Sequence, residues 1–477
     1  MNEGKIILHV SENGDDSNEG SSEKPLWSVA AALDKVRWKS YRAATFVIHG
    51  SVTEVAAHNA MIDITGRGLP VISLRGESPE NPGRLNAAGL NKRVLYISDG
   101  NTLYLEDNLT LCGGLVHNSG GSGVTLENAT LIMQGGEISG NDSGFGMGGG
   151  VYAGKGSEFI MEGGLITGNT TIMHGGGVFP DEGGTFTMNG GIISGNTAYL
   201  CGGGVFVGLG SEFEMTGGCI KENKTGIKGA MLLGGAALSP GRGGGVFISK
   251  GTCFRMRGGE IAGNRAIAVQ ENDSGAGSGG GVFVEKGGVF YLEKGTIIKN
   301  GVMNWGGGVY VEGSFISLRS CIISNNISRL GGGGVHISGE QASFTMKNGC
   351  LLNNYTAGNG GGINIIAQGS FTMEGGLIAE NEAHKLGNAL AVDGAAVIQG
   401  GVLLSAGGRS GDAGETRESS AVPPDKDAAG IFIDDTGKLT LRGGEVEGRI
   451  IMKNKNQFED LRETGQTAPR ETGQGEI

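Results

Sequence analysis

One short block recurs along this chain and limits what the chain can fold into. Gly-Gly-Gly-Val, followed by a ring-bearing residue and an apolar one, opens segments at Val151, Val178, Val205, Val246, Val282, Val309 and Val335. A Gly-Gly-Gly-Ile variant sits at Ile363, and weaker copies begin near Leu95, Val124, Leu390 and Ile431. Most steps between copies are 26 to 28 residues, with two of 41 and 36. Self-similarity at such a period marks a solenoid, in which each repeat buries its apolar face only against its neighbours.

A second block, Phe-x-Met-x-Gly-Gly-x-Ile-x-x-Asn, follows inside each unit. Its Met position runs from Leu111 through Met133, Met161, Met188, Met215, Met256, Leu292, Leu318, Met346 and Met373 to Leu441. An aliphatic residue follows five positions later, and five successive copies carry Phe159, Phe186, Phe213, Phe254 and Phe290 two positions earlier. Each unit thus holds three short alternating segments separated by glycines, which is the pattern of strands. The expectation is all-β: a single-stranded right-handed parallel β-helix of about twelve three-strand coils, with rungs ~4.8 Å apart.

One polar column has a fixed offset, eight residues past the Met position. It comprises Asn141, Asn169, Asn196, Asn223, Asn264, Asn300, Asn326, Asn354 and Asn381. An amide both donates and accepts, so stacked asparagines can bond along the axis, and Asn tolerates tight-turn backbone. The spacing predicts a structural ladder rather than a ligand site.

Residues 1–50 depart from the repeat and predict an N-terminal cap: a strand over 6–10, a turn-rich loop, and an amphipathic helix over 25–38. The helix would cover the open end of the rod. Residues 45–89 predict an irregular first turn or two, and 51–452 the β-helix proper. Residues 453–477 are polar and predict disorder, although Phe458 and Leu461 offer the apolar residues for a short C-terminal cap. Three long loops, 224–242, 265–278 and 407–427, follow the same coil position and should leave one edge of the rod. The first two should touch, with the apolar stretch 230–238 lying on the rod.

Composition removes several function classes. The 97 glycines come with only 9 prolines and no Gly-X-Y period, so the chain is not collagen-like. A formal charge of −12 argues against nucleic acid or anionic membrane as a partner. The six cysteines, at 112, 201, 219, 253, 321 and 350, form no CxxC pair and read as small hydrophobic residues. No long apolar run predicts a membrane span, and the first residues show no signal-peptide pattern.

The GGGV-[YF]-V and GSFxMxGGxIxGN repeats resemble the right-handed β-helix repeats of bacterial surface proteins. They are most similar in style to polymorphic outer-membrane proteins. The opening HVSENGDDSNEGSSEKPLWSVAAALDKV resembles the cap of the pectate-lyase-like superfamily. The resemblance covers roughly residues 5–450 and implies a secreted or surface location, without the barrel of the polymorphic proteins. That superfamily holds lyases, hydrolases and adhesins, so fold alone does not assign a function.

Three sets of residues are candidates for chemistry. Glu285, Glu312 and Asp181 share one outward column, where two acids could form the acid/base pair of a glycosidase or lyase. Tyr152, Phe179, Phe206, Phe247, Phe283 and Tyr310 form a column that alternation places on the outer face, as an exposed ladder for sugar faces or a partner protein. Asp15 and Asp16, with Asn18, are weak Ca²⁺ candidates that also suit a turn; otherwise no metal or cofactor is implied. Asp434 and Asp435 lack companion motifs, and the seven histidines have no metal spacing. The leading expectation is a non-catalytic, adhesin-like protein binding glycan or a cell-surface protein along its flank. A polysaccharide lyase or glycoside hydrolase is second, and a structural spacer third. The oligomeric state is not legible.

Overall fold

The computed structural model describes residues 4–55, 60–226, 241–267, 277–404 and 430–462. Strands stack in parallel into four sheets, three running the length of the described chain and a shorter one from Thr170–Thr171 to Glu382–Ala383, so the protein is a parallel β-helix. Among the described residues the sheets hold 16, 14, 14 and 8 strands. One coil illustrates the path. Val205–Val207 lies in the "Val sheet", Glu212–Met215 in the "Phe sheet", Cys219–Lys221 in the "Ile sheet" and Lys224–Thr225 in a short fourth sheet. The sequence predicts three strands per coil and the structure forms four. The extra strand has only two residues, too few for alternation to reveal it.

The glycine triplet follows from the corner it builds. Gly202 adopts φ +67°, a left-handed conformation that L side chains rarely take. A Cβ on Gly204 would lie 2.7 Å from the Gly245 carbonyl oxygen and 2.9 Å from the Asn223 amide nitrogen. The coils can approach to one rung only because that atom is missing.

Inside the rod, Val, Phe, Met and Ile columns are buried throughout. The Phe column is longer than the five predicted. Phe159, Phe186, Phe213, Phe254, Phe290, Phe315, Phe344 and Phe371 stack with ring centroids 4.3–5.2 Å apart. Each fully buried ring contributes roughly 2–3 kcal/mol by area removed from water. Two Met-position assignments shift. Leu105, not Leu111, pairs with Met133, and Ser317, not Leu318, pairs with Met346. In the second case the turn from Val311 to Ser314 is short, and the next corner is longer, with Cys321 tucked inside and its thiol on the Leu292 carbonyl.

The N-terminal region belongs to the rod more closely than its sequence suggests. β1 (Lys5–Ser11) pairs in parallel with β2 (Ala43–His49), and both are members of the Phe sheet. The helix between them, α1 (Val29–Val36), is shorter than the predicted 25–38. Ser28 caps it, and Glu54 accepts the Val29 and Ala30 N–H groups at 3.0 and 3.2 Å. The described residues between 45 and 89 already belong to regular coils, because Ala60–Ile64, Val71–Gly76 and Gly83–Asn86 pair in the sheets. At the other end, Phe458–Asp460 pairs with Lys438–Leu441, so ordered structure passes the expected boundary at 452. Residues 463–477 lie outside the described residues.

The roots of the first two long loops adjoin, since Ile267 N–H donates to the Thr225 carbonyl and Ser278 N–H to that of Gly241. The third, 407–427, lies outside the described residues, which break off after Val402–Leu404. The expected contact between loops, and the stretch 230–238, lie outside the described residues.

Candidate functional site

Two columns with equal spacing meet different fates. The nine asparagines lie 0–3% exposed and bond end to end. Asn223 shows the pattern: its amide NH2 donates to Asn264 Oδ1 (3.0 Å) and to the Ile193 carbonyl (2.9 Å). Its Oδ1 accepts from the backbone N–H and the side chain of Asn196, both at 3.0 Å. Two donors and two lone pairs are all used. The ladder has a structural role, as its spacing predicts, and no capacity left for a ligand.

The ring column stacks as well, at centroid spacings of 4.8–5.8 Å from Tyr152 to His336. It points away from the main core, as alternation requires, but it is not exposed. Phe179, Phe206, Phe247, Phe283 and Tyr310 are 1–9% exposed and form a second apolar cluster. Met147, Leu200, Cys201 and Trp305, from the segments leading into the glycine corners, close over them. His174 tilts against Phe206 at 4.5 Å, and the Arg242 guanidinium sits 5.2 Å from the Phe283 ring. The expectation of an open ladder therefore fails for these five rings, because covering residues outside the repeat shield them.

The column is more open at its N-terminal end, although Phe179 and Phe206 also line a smaller hollow. Strand register continues it from Tyr152 through Thr125 to Tyr96. Tyr96 and Tyr152 are half-buried, two rungs (~9.6 Å) apart. They line a hollow of about 840 Å³, together with Ser98, Asp99, Glu127, Asn128, Lys155 and Glu182 from the turns between the Val and Phe sheets. Asp99, Asn128 and Glu182 take left-handed φ of 49–61°, which holds these turns tight against the strands. Carboxylates fix both rings: the Tyr96 hydroxyl donates to Glu127 at 2.5 Å, and that of Tyr152 to Asp181 at 3.3 Å. Burial and the Glu127 contact push the Tyr96 phenol up to about 12, and burial also raises Tyr152.

A second hollow, about 270 Å³, adjoins the first at the Tyr152–Asp181 contact and runs past His174, Ser249 and Lys250 to Glu285. Burial holds His174 neutral, pushed down to about 4, and its Nδ1 has no hydrogen-bond partner. Asp181 and Glu285 both line this hollow, but on rungs three apart, ~14 Å, too far to act as a pair. Glu312 lines neither hollow. It is one rung from Glu285, is raised by burial, and feels the opposing charge of Arg242. Glu285 accepts the Lys250 N–H at 2.9 Å.

The Ca²⁺ candidates serve the backbone instead. Asp15 accepts from the Ser17 N–H and hydroxyl, and Asp16 from the Trp27 and Ser28 N–H groups and the Ser28 hydroxyl. Among the described residues no group of three or more His, Cys, Asp or Glu is placed to hold a metal ion. No helix among them is long and apolar enough to cross a membrane. The six cysteines are unpaired.

Tyr96 and the turn residues Asp99, Glu127 and Glu182 were not singled out by sequence. A signal existed for Tyr96, which follows the weak repeat copy at Leu95. The turn residues carried none, because each coil places a different residue type there. Comparison of the chain with family models, with curated proteins and with solved structures finds no match.

Proposed function

We propose that this is a non-catalytic binding protein of the adhesin kind, secreted or displayed on a cell surface, that holds an extended glycan in its flank groove. The observation that carries this reading is the pair of tyrosines at the open end of the ring column. Their rings are fixed by carboxylates two rungs apart in an 840 Å³ hollow. The half-buried rings present their edges to the hollow as apolar contacts for sugar C–H groups, while the surrounding Ser, Asn and carboxylate groups accept sugar hydroxyls. The lining is polar around two rings, rather than the dry apolar pocket that anchors a protein hot spot. The adjoining hollow extends the track along the rod, and weak contacts repeated along a track sum by multivalency. The resemblance of the repeats to bacterial surface proteins agrees with display outside the cell.

Cleavage is the competing reading, favoured by the one-rung spacing of Glu285 and Glu312. Incubation with acidic and neutral polysaccharides, with and without Ca²⁺, separates the two. The expected outcome is no release of unsaturated or reducing ends, with a glycan-array signal that Tyr96→Ala and Tyr152→Ala abolish. Product release abolished by Glu285→Ala or Glu312→Ala would establish the enzyme. Silence in both assays would leave a structural spacer.

A further inference from the structure

Beyond the N-terminal end of the groove the sign of the charge reverses. Residues 35–42 carry Lys35, Arg37, Lys39 and Arg42 and no acid, in a chain of formal charge −12. Arg67 joins them from the turn whose Thr65 and Gly66 line the groove. Lys39, Arg42 and Arg67 are exposed, and none of these cations is ion-paired among the described residues. The acids at the border are Asp34, on the helix, and Asp99, whose carboxylate already accepts the Gly66 N–H at 2.7 Å and the Ser98 hydroxyl at 2.9 Å.

Trp38 lies at the centre of this patch. It follows the helix C-cap Arg37 with φ +61°, at a position where glycine is favoured. A bulky side chain in that conformation costs free energy, and so does leaving the ring 73% exposed. The ring is nevertheless seated. The Trp38 N–H donates to the Gly68 carbonyl at 2.7 Å. A Cβ on Gly68 would lie 2.5 Å from both Cδ2 and Cε3 and 2.8 Å from Cε2, a point over the fused ring rather than at its edge. One indole face therefore rests on a glycine. No ring or cation among the described residues stacks on the other. Beside it, Arg37 Nη1 donates to the Thr65 and Arg67 carbonyls at 3.0 and 3.1 Å. Its Nε and Nη2 donors, the side-on pair that grips a carboxylate or sulfate, have no protein partner among the described residues.

We infer that this platform is a second binding site, for an acidic glycan carrying carboxylate or sulfate groups. A pyranose lies on the open indole face, its acid on the Arg37 fork, with Lys39 and Arg67 beside it for the groups on adjoining sugars. The site stands apart from the reading of the groove, whose Asp99, Glu127 and Glu182 turn an anionic chain toward the cap. A ring lying flat presents a face rather than a tip, which suits a sugar and not insertion into a bilayer. A duplex nucleic acid, with one charge per ~1.7 Å, meets the net negative charge of the chain far more strongly than a glycan does. The left-handed backbone and the exposed ring cost the fold stability, which fits a residue kept for binding.

Calorimetric titration of the whole chain with heparin, galacturonate and neutral dextran oligomers, with a single-stranded oligonucleotide, and with phosphatidylserine vesicles tests the inference. One of the two acidic oligomers should bind at least roughly tenfold tighter than dextran, and which one does so identifies the acid group. Trp38→Gly and Arg37→Lys should each weaken that binding roughly tenfold. Arg37→Lys keeps the charge, so its loss reports the fork rather than general attraction. Tyr96→Ala should leave the acidic glycan bound, which separates this site from the groove. Trp38→Gly should hold or raise the denaturant midpoint, because glycine relieves the left-handed backbone. A large fall in that midpoint would make the ring a structural clamp and overturn the inference. Equal binding of acidic and neutral oligomers, binding unmoved by both variants, or tighter binding of the oligonucleotide or the vesicles also overturns it.

Discussion

The asparagine ladder and the ring column are built on the same rungs, yet one is closed to the outside by its own chemistry and the other only by its neighbours. Each inner ladder amide spends its whole hydrogen-bonding capacity on the coils above and below, as Asn223 does. The column rings gain burial only where Met147, Leu200 and Trp305 lie over them, and at Tyr152 and Tyr96 that cover ends. Repetition alone therefore makes a rod. Breaking the repeat in the corner segments decides where the rod presents a surface.

The largest effect expected is on the ladder. Asn223→Ala leaves two donors on Asn196 without their acceptor and removes one bond each from Asn264 Oδ1, which keeps the backbone N–H of residue 223, and from the Ile193 carbonyl, in a fully buried corner. Several unmade bonds at ~1–3 kcal/mol each put the cost at roughly 3–5 kcal/mol. A denaturant midpoint that barely moves would show that the ladder is ornamental. Phe247→Ala should cost somewhat less, about 3 kcal/mol. The ring is 3% exposed but lies outside the main core, where covering side chains can settle inward. A loss well below 1 kcal/mol would mean that the cover is not packed.

His336 supplies a pH test within the same column. It is fully buried against Tyr310 and Trp305, its Nδ1 is 3.2 Å from the Asn364 amide, and burial pushes it down to about 3. Its folded pKa lies below the unfolded value of 6.5, so its contribution is complete above that pH and is lost as pH falls toward 3. Between pH ~6.5 and ~4.5 the loss should approach 2–3 kcal/mol. His336→Phe should flatten that part of the stability profile relative to wild type, and an unchanged profile would contradict the burial. The smallest effect expected is that of Tyr152→Phe, which removes one bond to Asp181 at the half-open end. It should shift stability by less than about 1 kcal/mol.

The ladder was legible in sequence because nine residues of one type keep one offset. The Val, Met and Phe interiors were legible for the same reason. The short fourth sheet was not, since two residues carry no period. The burial of Phe179 to Tyr310 was not legible either. Alternation gives the side of the sheet correctly, but the cover comes from Met147, His174, Leu200, Arg242 and Trp305, which share no residue type. The groove was half legible: its tyrosines belong to the repeat, whereas Asp99, Glu127 and Glu182 sit at turn positions that vary from coil to coil.

One paired measurement tests the central claim, that the open end of the column binds and the covered part holds the fold. Tyr152→Ala and Phe247→Ala are each assayed for denaturant midpoint and for affinity toward the glycan that wild type binds. The account predicts a crossed result. Tyr152→Ala should lose most of the affinity with a small stability change, and Phe247→Ala should lose stability while keeping its affinity under folding conditions. If Phe247→Ala abolishes binding in the folded protein while Tyr152→Ala leaves it intact, the covered rings are the site and the account is wrong.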